Sequence, residues 1–244
     1  MRETETVPIQ DDATTAGRTP LARPLSLSDY PESDGKPMAE TPIHWHATVD
    51  AALLLQGFYR DRADVYVGSD MMMYYRAGDI RACVSPDIFV AIGVPKLPER
   101  RVWRTWVEGK LADFVLEITS FGTRRVDEGT KKELYAELGV REYWQFDPEG
   151  DYLDPMLQGR RLGSDGKYRK LALERRNGVL CHGTMLGLEL RLEGDQLRFF
   201  DPRRGGYLLT AREGEEALRG TEEALRAAEA ENAELRRRLR QHGE

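Results

Sequence analysis

Three apolar stretches with one short helix between the last two set the framework of this chain. Ile88–Ile92 is a continuous apolar run bounded by Pro86 and Gly93, which predicts a buried strand. Phe114–Thr119 predicts a second strand and Tyr143–Phe146 a third. A helix is predicted from about 127 to 138, ended by Gly139. Because a helix joins two strands, we expect those strands to be parallel and linked by a right-handed crossover.

The rest of the chain divides around this framework. Apolar spacing predicts a helix over 43–59 and extended segments over 64–75. Short β segments separated by turns are expected over 152–209. Residues 1–24, rich in Thr, Asp, Glu and Pro, are expected to be a disordered tail. We therefore predict one α/β domain over 25–210, a mixed sheet flanked by helices, and a separate C-terminal helix over 211–244.

The C-terminal segment has its own periodicity. Small or apolar residues recur in steps of three and four, with one asparagine among them: Leu218, Thr221, Leu225, Ala228, Asn232, Leu235 and Leu239. This is typical of a coiled-coil seam, and a single Asn in it favours a parallel two-stranded register. The pattern predicts a homodimer through this helix; the alternative is a single amphipathic helix packed on the domain.

Composition excludes several classes. The 244 residues are 40% hydrophobic, but no apolar run approaches the ~18 residues of a membrane span. Cys83 and Cys181 lack metal-site spacing, and the acidic N-terminus is not a signal peptide, so a cytoplasmic location without membrane attachment is expected. The net charge of −6 means that any nucleic-acid binding must come from local basic patches.

Two carboxylates interrupt the apolar strands. Asp87 lies at the N-terminal end of the first strand, and Glu117 shares one face of the second with Val115 and Thr119. A buried carboxylate is unfavourable unless it is paired. Two that lie close together repel unless a cation binds between them, and an all-oxygen ligand set suits Mg²⁺ or Mn²⁺.

A lysine falls on the inner face of the predicted helix. At about 100° per residue, Lys131 lies at the centre of the stripe formed by Leu134, Tyr135 and Leu138. Asp127, four residues earlier, shares that stripe and could orient Lys131. Two acids and a lysine suit metal-assisted phosphodiester hydrolysis. The alternative is that the first turn frays and Lys131 reaches outward to solvent.

These motifs, in this order, resemble the Uma-two family of restriction-endonuclease-like proteins within the PD-(D/E)XK nuclease superfamily. The stretches that carry the resemblance are Ser85–Asp87, Phe114–Ser120, Thr123–Arg125, Asp127, Gly129, Lys131, Leu134–Tyr135, Gly139–Trp144 and Asp147–Pro148. The resemblance spans about 25–210 and implies a restriction-endonuclease-like core with Asp87 and Glu117 as metal ligands. The superfamily usually has lysine where Thr119 stands, and the Uma-two pattern places it on the following helix, at Lys131. Glu40 is a candidate further acid, or an ordinary surface residue.

Basic residues suggest where a substrate binds. Arg100, Arg101 and Arg104 interleave with Trp103 and Trp106, which suits phosphate binding and base stacking. Arg124 and Arg125 lie near the predicted metal site. A second basic region covers 160–176. The alternatives are solvated charged faces and tryptophans that pack in the core. His44 and His46 are candidates for metal binding or for a structural role at the helix entry.

The sequence thus predicts a metal-dependent endonuclease acting on a nucleic acid, DNA being favoured. The alternative is a catalytically inactive module of the same fold that uses its coiled coil to hold a partner. The acid pair and Lys131 favour the enzyme, whereas Thr119 favours the inactive module.

Overall fold

A computed structural model describes residues 26, 29–33, 41–120 and 127–242. It contains a six-stranded mixed sheet, a five-stranded antiparallel sheet and a small three-stranded sheet. The helices are α1 (Pro42–Phe58), α2 (Thr105–Glu108), a π-helical turn (Asp127–Lys131), α3 (Lys132–Glu137) and α4 (Ala211–His242). The strands are β1 (Val65–Ser69), β2 (Met73–Tyr74), β3 (Cys83–Val84), β4 (Ile88–Ile92), β5 (Trp103–Arg104), β6 (Phe114–Ile118), β7 (Glu142–Phe146), β8 (Leu157–Leu162), β9 (Tyr168–Leu171), β10 (Glu174–Arg176), β11 (Val179–Gly183), β12 (Glu189–Glu193), β13 (Gln196–Asp201) and β14 (Gly206–Tyr207).

The predicted framework is confirmed in its central part. The six-stranded sheet has the order β1-β4-β6-β7-β8-β9, and β6 and β7 form its parallel pair.

Helix α1 begins after Thr41, whose hydroxyl oxygen accepts a hydrogen bond from the His44 N–H at 3.3 Å. This side-chain cap satisfies one of the amide groups that a helix start leaves unpaired.

The two faces of this sheet bury different sets of side chains. In β6, Leu116 packs in a core with α1 and the five-stranded sheet, whereas Val115 packs in a second core with Tyr135 of α3. Because successive strand residues point to opposite faces, the alternation of β6 decides which residues meet α3. Glu117 has the parity of Val115 and therefore faces α3.

A glycine lets β1 and β4 pair closely. Gly68 lies opposite Phe89, and a Cβ at position 68 would lie 2.3 Å from a ring carbon of Phe89. Any larger side chain would force this ring to move. The ring in turn packs on Trp103, with centroids 5.2 Å apart, so the glycine fixes the packing beneath the 95–110 loop.

The segment after β7 forms short strands, as the sequence predicts. Strands β8 and β9 extend the six-stranded sheet, while β10–β14 form the second sheet. Leu188 and Phe199 of this region join the core shared with α1.

The predicted C-terminal helix is present as α4, with 32 residues. Leu218, Leu225 and Leu235 on its seam are exposed. Its association as a coiled coil stays a prediction. The tail predicted over 1–24 lies outside the described residues. Within the described ranges, no helix has the length and hydrophobicity required to cross a membrane.

Candidate active site

The sheet register brings the two predicted carboxylates together. Strands β4 and β6 are antiparallel, with Ile88 opposite Leu116. Asp87, just before β4, therefore meets the C-terminal end of β6, where Glu117 lies. The backbone N–H of Asp87 lies 3.4 Å from Glu117 Oε2. Thirty positions of sequence separate two groups that the fold makes neighbours.

Asp87 lies at the rim of the site. Its side chain is 14% exposed, and its Oδ2 accepts a hydrogen bond from the Ile118 N–H at 2.6 Å. Burial, together with the negative charge of Glu117, raises the pKa of Asp87 to about 7, although His44 and Lys131 act in the opposite direction. The site thus holds a carboxyl group that resists ionisation even with the Lys131 ammonium nearby.

Glu117 lies at the centre of the site and is fully buried. Its Oε2 accepts a hydrogen bond from Lys131 Nζ at 2.9 Å, and its Oε1 accepts one from the Tyr135 hydroxyl at 2.7 Å. The Lys131 side chain is 17% exposed and points inward, not outward into solvent. Of the two orientations that the sequence allowed for Lys131, the structure shows the inward one.

The local backbone explains how Lys131 and Tyr135 converge on one carboxylate. Lys131 ends the π-helical turn and directly precedes α3, whose buried residue is Tyr135. Residues four apart share a helix face, so both polar groups point down onto the sheet. Burial and the proximity of Glu117 raise the pKa of Tyr135 well above its ordinary value, which keeps its hydroxyl protonated as a donor.

One contributor, Tyr135, was missed by the sequence reasoning, and another, His44, was named with its role left open. Tyr135 was assigned only to the core stripe, although its place one turn after Lys131 could have signalled a shared partner. His44 was left open between a metal-binding and a structural role. Its Nε2 lies 2.6 Å from the Ile118 carbonyl oxygen and 3.7 Å from Asp87 Oδ2, so it ties the start of α1 to the end of β6.

Thr119 occupies the position of the usual superfamily lysine. It is buried, and no partner for its hydroxyl lies within the described ranges. It follows the last residue of β6, and its backbone N–H donates a hydrogen bond to the Phe146 carbonyl at 2.7 Å. Among the described residues, Lys131 brings a positive charge to Glu117.

The oxygen donors suit a hard divalent cation. No set of three His, Cys, Asp or Glu side chains is arranged as a metal site in the part of the chain that the structure describes. Asp87 and Glu117 supply two carboxylates, and Mg²⁺ commonly binds through one or two carboxylates, completing its shell with water and substrate phosphate. Burial and the charge of Glu117 both raise the pKa of Asp87, and a bound divalent cation would favour its ionised form.

The predicted arginine loop lies away from Asp87, and Arg100 and Arg101 in it form ion pairs with carboxylates of the protein. Arg100 forms an ion pair with Glu108 at 2.9 Å, both side chains being 10% exposed, and stacks over the Tyr66 ring. It also donates to the carbonyl of Pro95, beyond the C-terminal end of β4. Asp87 precedes the N-terminal end of β4, and five residues of extended strand place it about 16 Å from the C-terminal end of β4.

The neighbours of Arg100 vary in exposure. Arg101 pairs with Glu32 at 2.8 Å, and Arg104 is half-buried. Trp103 is fully buried, whereas Trp106 is 38% exposed and packs against Tyr30. The predictions for Glu40, Arg124, Arg125 and the side chain of Asp127 lie outside the described residues.

Comparison with known proteins gives one family. The model of the Uma2 family, described as "Putative restriction endonuclease", matches residues 26–193. No curated protein matches this chain. Among solved structures, one similar chain is the "putative nuclease belonging to DUF820 from Anabaena variabilis ATCC 29413". It is 15% identical over 59% of this chain and 78% of its own length, with a TM-score of 0.43. Since the family model spans well over half of the sequence and includes the Asp87, Glu117 and Lys131 positions, the chain belongs to the Uma2 family.

Proposed function

We propose that this protein is a metal-dependent endonuclease that hydrolyses phosphodiester bonds, with DNA as its substrate. The observation that carries the proposal is the contact between Lys131 and the buried Glu117, beside Asp87. An ion pair with only a structural role does not require a second carboxyl group at the same place, least of all one whose pKa is raised to about 7. Family membership supports the same reaction class.

The proposed roles follow from the contacts. Asp87 and Glu117 would hold Mg²⁺ or Mn²⁺, which when bound polarises the phosphate and lowers the pKa of a bound water. Tyr135, through its hydroxyl, fixes the Glu117 carboxylate in one orientation. Lys131 directs its ammonium at the carboxylate from the side that still has solvent access, where it can stabilise negative charge on a phosphate.

The proposed assembly is a homodimer through α4. Leu218, Leu225 and Leu235 are 62%, 59% and 49% exposed, so these three leucines of the seam do not pack on the domain. Pairing two chains along this seam would cover these side chains and present two sites to one duplex.

Cleavage of mixed DNA substrates with Mg²⁺ or Mn²⁺ tests the enzyme. We expect wild type to cut and Lys131→Ala to lose at least about 100-fold in rate, a typical effect of removing one group that stabilises transition-state charge. Glu117→Gln, which removes a proposed metal ligand, should lose at least as much. Arg60→Ala removes one exposed positive charge and serves as the control. Loss of activity in Glu117→Gln alone would remove Lys131 from the mechanism. A wild type that cuts no substrate would favour the inactive binding module.

A further inference from the structure

A basic cleft lies beside the candidate site. It has a volume of about 480 Å³ and separates α3 from the β8–β9 hairpin. We define it by the residues that line it, which are Lys132, Glu133, Ala136, Glu137, Arg160, Gly166, Lys167, Tyr168 and Lys170. Four of these side chains are cationic and two are acidic, in a chain whose net charge is −6. The basic cleft therefore opposes the overall charge of the protein.

The four positive charges of this cleft outnumber its two carboxylates, Glu133 and Glu137. Lys132, Lys167 and Lys170 form no ion pair within the described ranges, and the latter two are exposed. Arginines nearby behave differently, since Arg161 pairs with Glu142 and Arg169 with Asp165. Cations left without carboxylate partners are available to an anionic ligand.

The fourth cation is held by a neutral group. Arg160 donates a hydrogen bond to the side-chain oxygen of Gln145. Gln145 is fully buried, and its amide nitrogen has no hydrogen-bond partner in the described part of the chain. An amide orients the guanidinium without cancelling its charge, as a carboxylate would. The arrangement keeps Arg160 both ordered and positive.

The basic cleft and the acid pair share one face of the sheet. Gln145 of β7 is in register with Glu117 of β6, and Arg160 of β8 lies opposite Tyr143 of β7, which has the parity of Gln145. Arg160 is in register with Val115, two residues before Glu117, so two strand spacings of about 4.8 Å and two residues of about 3.3 Å place the Arg160 and Glu117 backbones about 12 Å apart. Lys132 directly follows Lys131, so one short helix borders both sites.

We propose that the basic cleft binds backbone phosphates of the nucleic-acid strand that flanks the bond cleaved at Asp87 and Glu117. The inference rests on the proposed nuclease function for the identity of the strand. One strand carries a negative charge about every 3.4 Å along a helix axis, so a separation of about 12 Å along that axis corresponds to about three to four phosphates. Contacts to phosphates by lysine position the strand without reading its sequence.

Binding of fluorescently labelled DNA, single-stranded and duplex, by anisotropy in EDTA tests the inference without cleavage. The variant is Lys167→Gln with Lys170→Gln, which leaves α3 and Lys131 untouched. The matched control, Arg60→Gln with Arg81→Gln, removes the same charge at exposed side chains outside the cleft. Circular dichroism checks that both variants are folded.

We expect the cleft variant to bind at least about tenfold more weakly than the control at moderate salt. Its slope of log K against log salt should shrink by about 1.4 to 1.8, which is two phosphate contacts at about 0.7 to 0.9 each. Equal affinity and slope in the two double variants would overturn the inference. So would displacement of the oligonucleotide by polyglutamate of equal charge, because the site would then be generic for acidic polymers.

The two proposals fail in different ways. A wild type that cuts DNA with metal, with a cleft variant that binds as the control does, would refute the cleft and leave the nuclease. If the wild type cuts no DNA but the cleft variant binds DNA more weakly than the control, the nuclease proposal is refuted and phosphate binding by the cleft is supported.

Discussion

Replacing Asp87 with asparagine should stabilise the metal-free protein near neutral pH. Burial and the charge of Glu117 raise the pKa of Asp87 from 3.8 to about 7, so the ionised carboxylate is unfavourable in the folded state. Asparagine has nearly the same shape, cannot ionise, and can still accept the hydrogen bond that the Ile118 N–H donates to position 87. The substitution removes the repulsion and leaves the contact.

The magnitude follows from the raised pKa. Each tenfold difference in proton affinity corresponds to about 1.4 kcal/mol, so the rise to about 7 corresponds to about 4 kcal/mol at high pH, as an upper limit. Because the folded-state pKa of Asp87 lies above its unfolded-state value, the full stability of the fold is present below about pH 4, where the carboxyl group is protonated in both states. That stability falls as the pH rises toward about 7, because the ionised carboxylate is unfavourable in the folded protein. We therefore expect a gain of about 1–4 kcal/mol for Asp87→Asn at about pH 8 and none near pH 4.

Urea unfolding in EDTA at these two pH values measures the effect. Asp113→Asn is the control, with the opposite expected sign. Burial raises the pKa of Asp113, but hydrogen bonds from Lys110, the Ile92 N–H and Arg141 outweigh it and hold the net pKa below its ordinary value. That variant should lose about 1–3 kcal/mol at about pH 8. A destabilised Asp87→Asn at pH 8 would refute our account of the site.

Four further outcomes are expected. Lys131→Ala should lose at least about 100-fold in cleavage rate at saturating metal and substrate, and full activity would exclude its role. Tyr135→Phe, which frees one oxygen of Glu117, should lower the free energy of unfolding by about 1–2 kcal/mol in urea titrations; an unchanged midpoint would contradict this. Arg100→Ala leaves Glu108 unpaired and should cost about 2–4 kcal/mol of stability while the folded protein keeps its DNA affinity by anisotropy; the reverse result would restore Arg100 as a DNA contact. A chain ending at Thr210 should sediment as a monomer where the full chain is a dimer, and the same oligomeric state in both chains would refute pairing through α4.

The sheet could be predicted from the sequence because its signals are local. Pro86 and Gly93 bracket β4, and the alternation of Val115, Leu116 and Glu117 assigns the faces of β6 without reference to any partner. The helix face of Lys131 was readable for the same reason. Register was not readable, since nothing local states that Asp87 lies beside the end of β6.

The charge partners were the least predictable part. Arg100 and the lysines of the basic cleft are equally basic in sequence, and a count of charges does not distinguish them. The fold places Glu108 against Arg100, whereas Lys167 forms no ion pair with any residue that the structure describes. Whether a cation is free for a ligand depends on contacts between distant segments, which composition does not encode.

The position of Lys131 has a consequence for tracing ancestry. In this chain the positive charge beside the acid pair is that of Lys131, fourteen residues after Glu117 on a separate helical segment. The Lys131 ammonium reaches Glu117 through its long side chain. A search for a lysine two positions after the acid would reject such a chain, although the same three groups meet in space. A search for this kind of site is therefore better posed as an arrangement of charges in space than as a spacing along the chain.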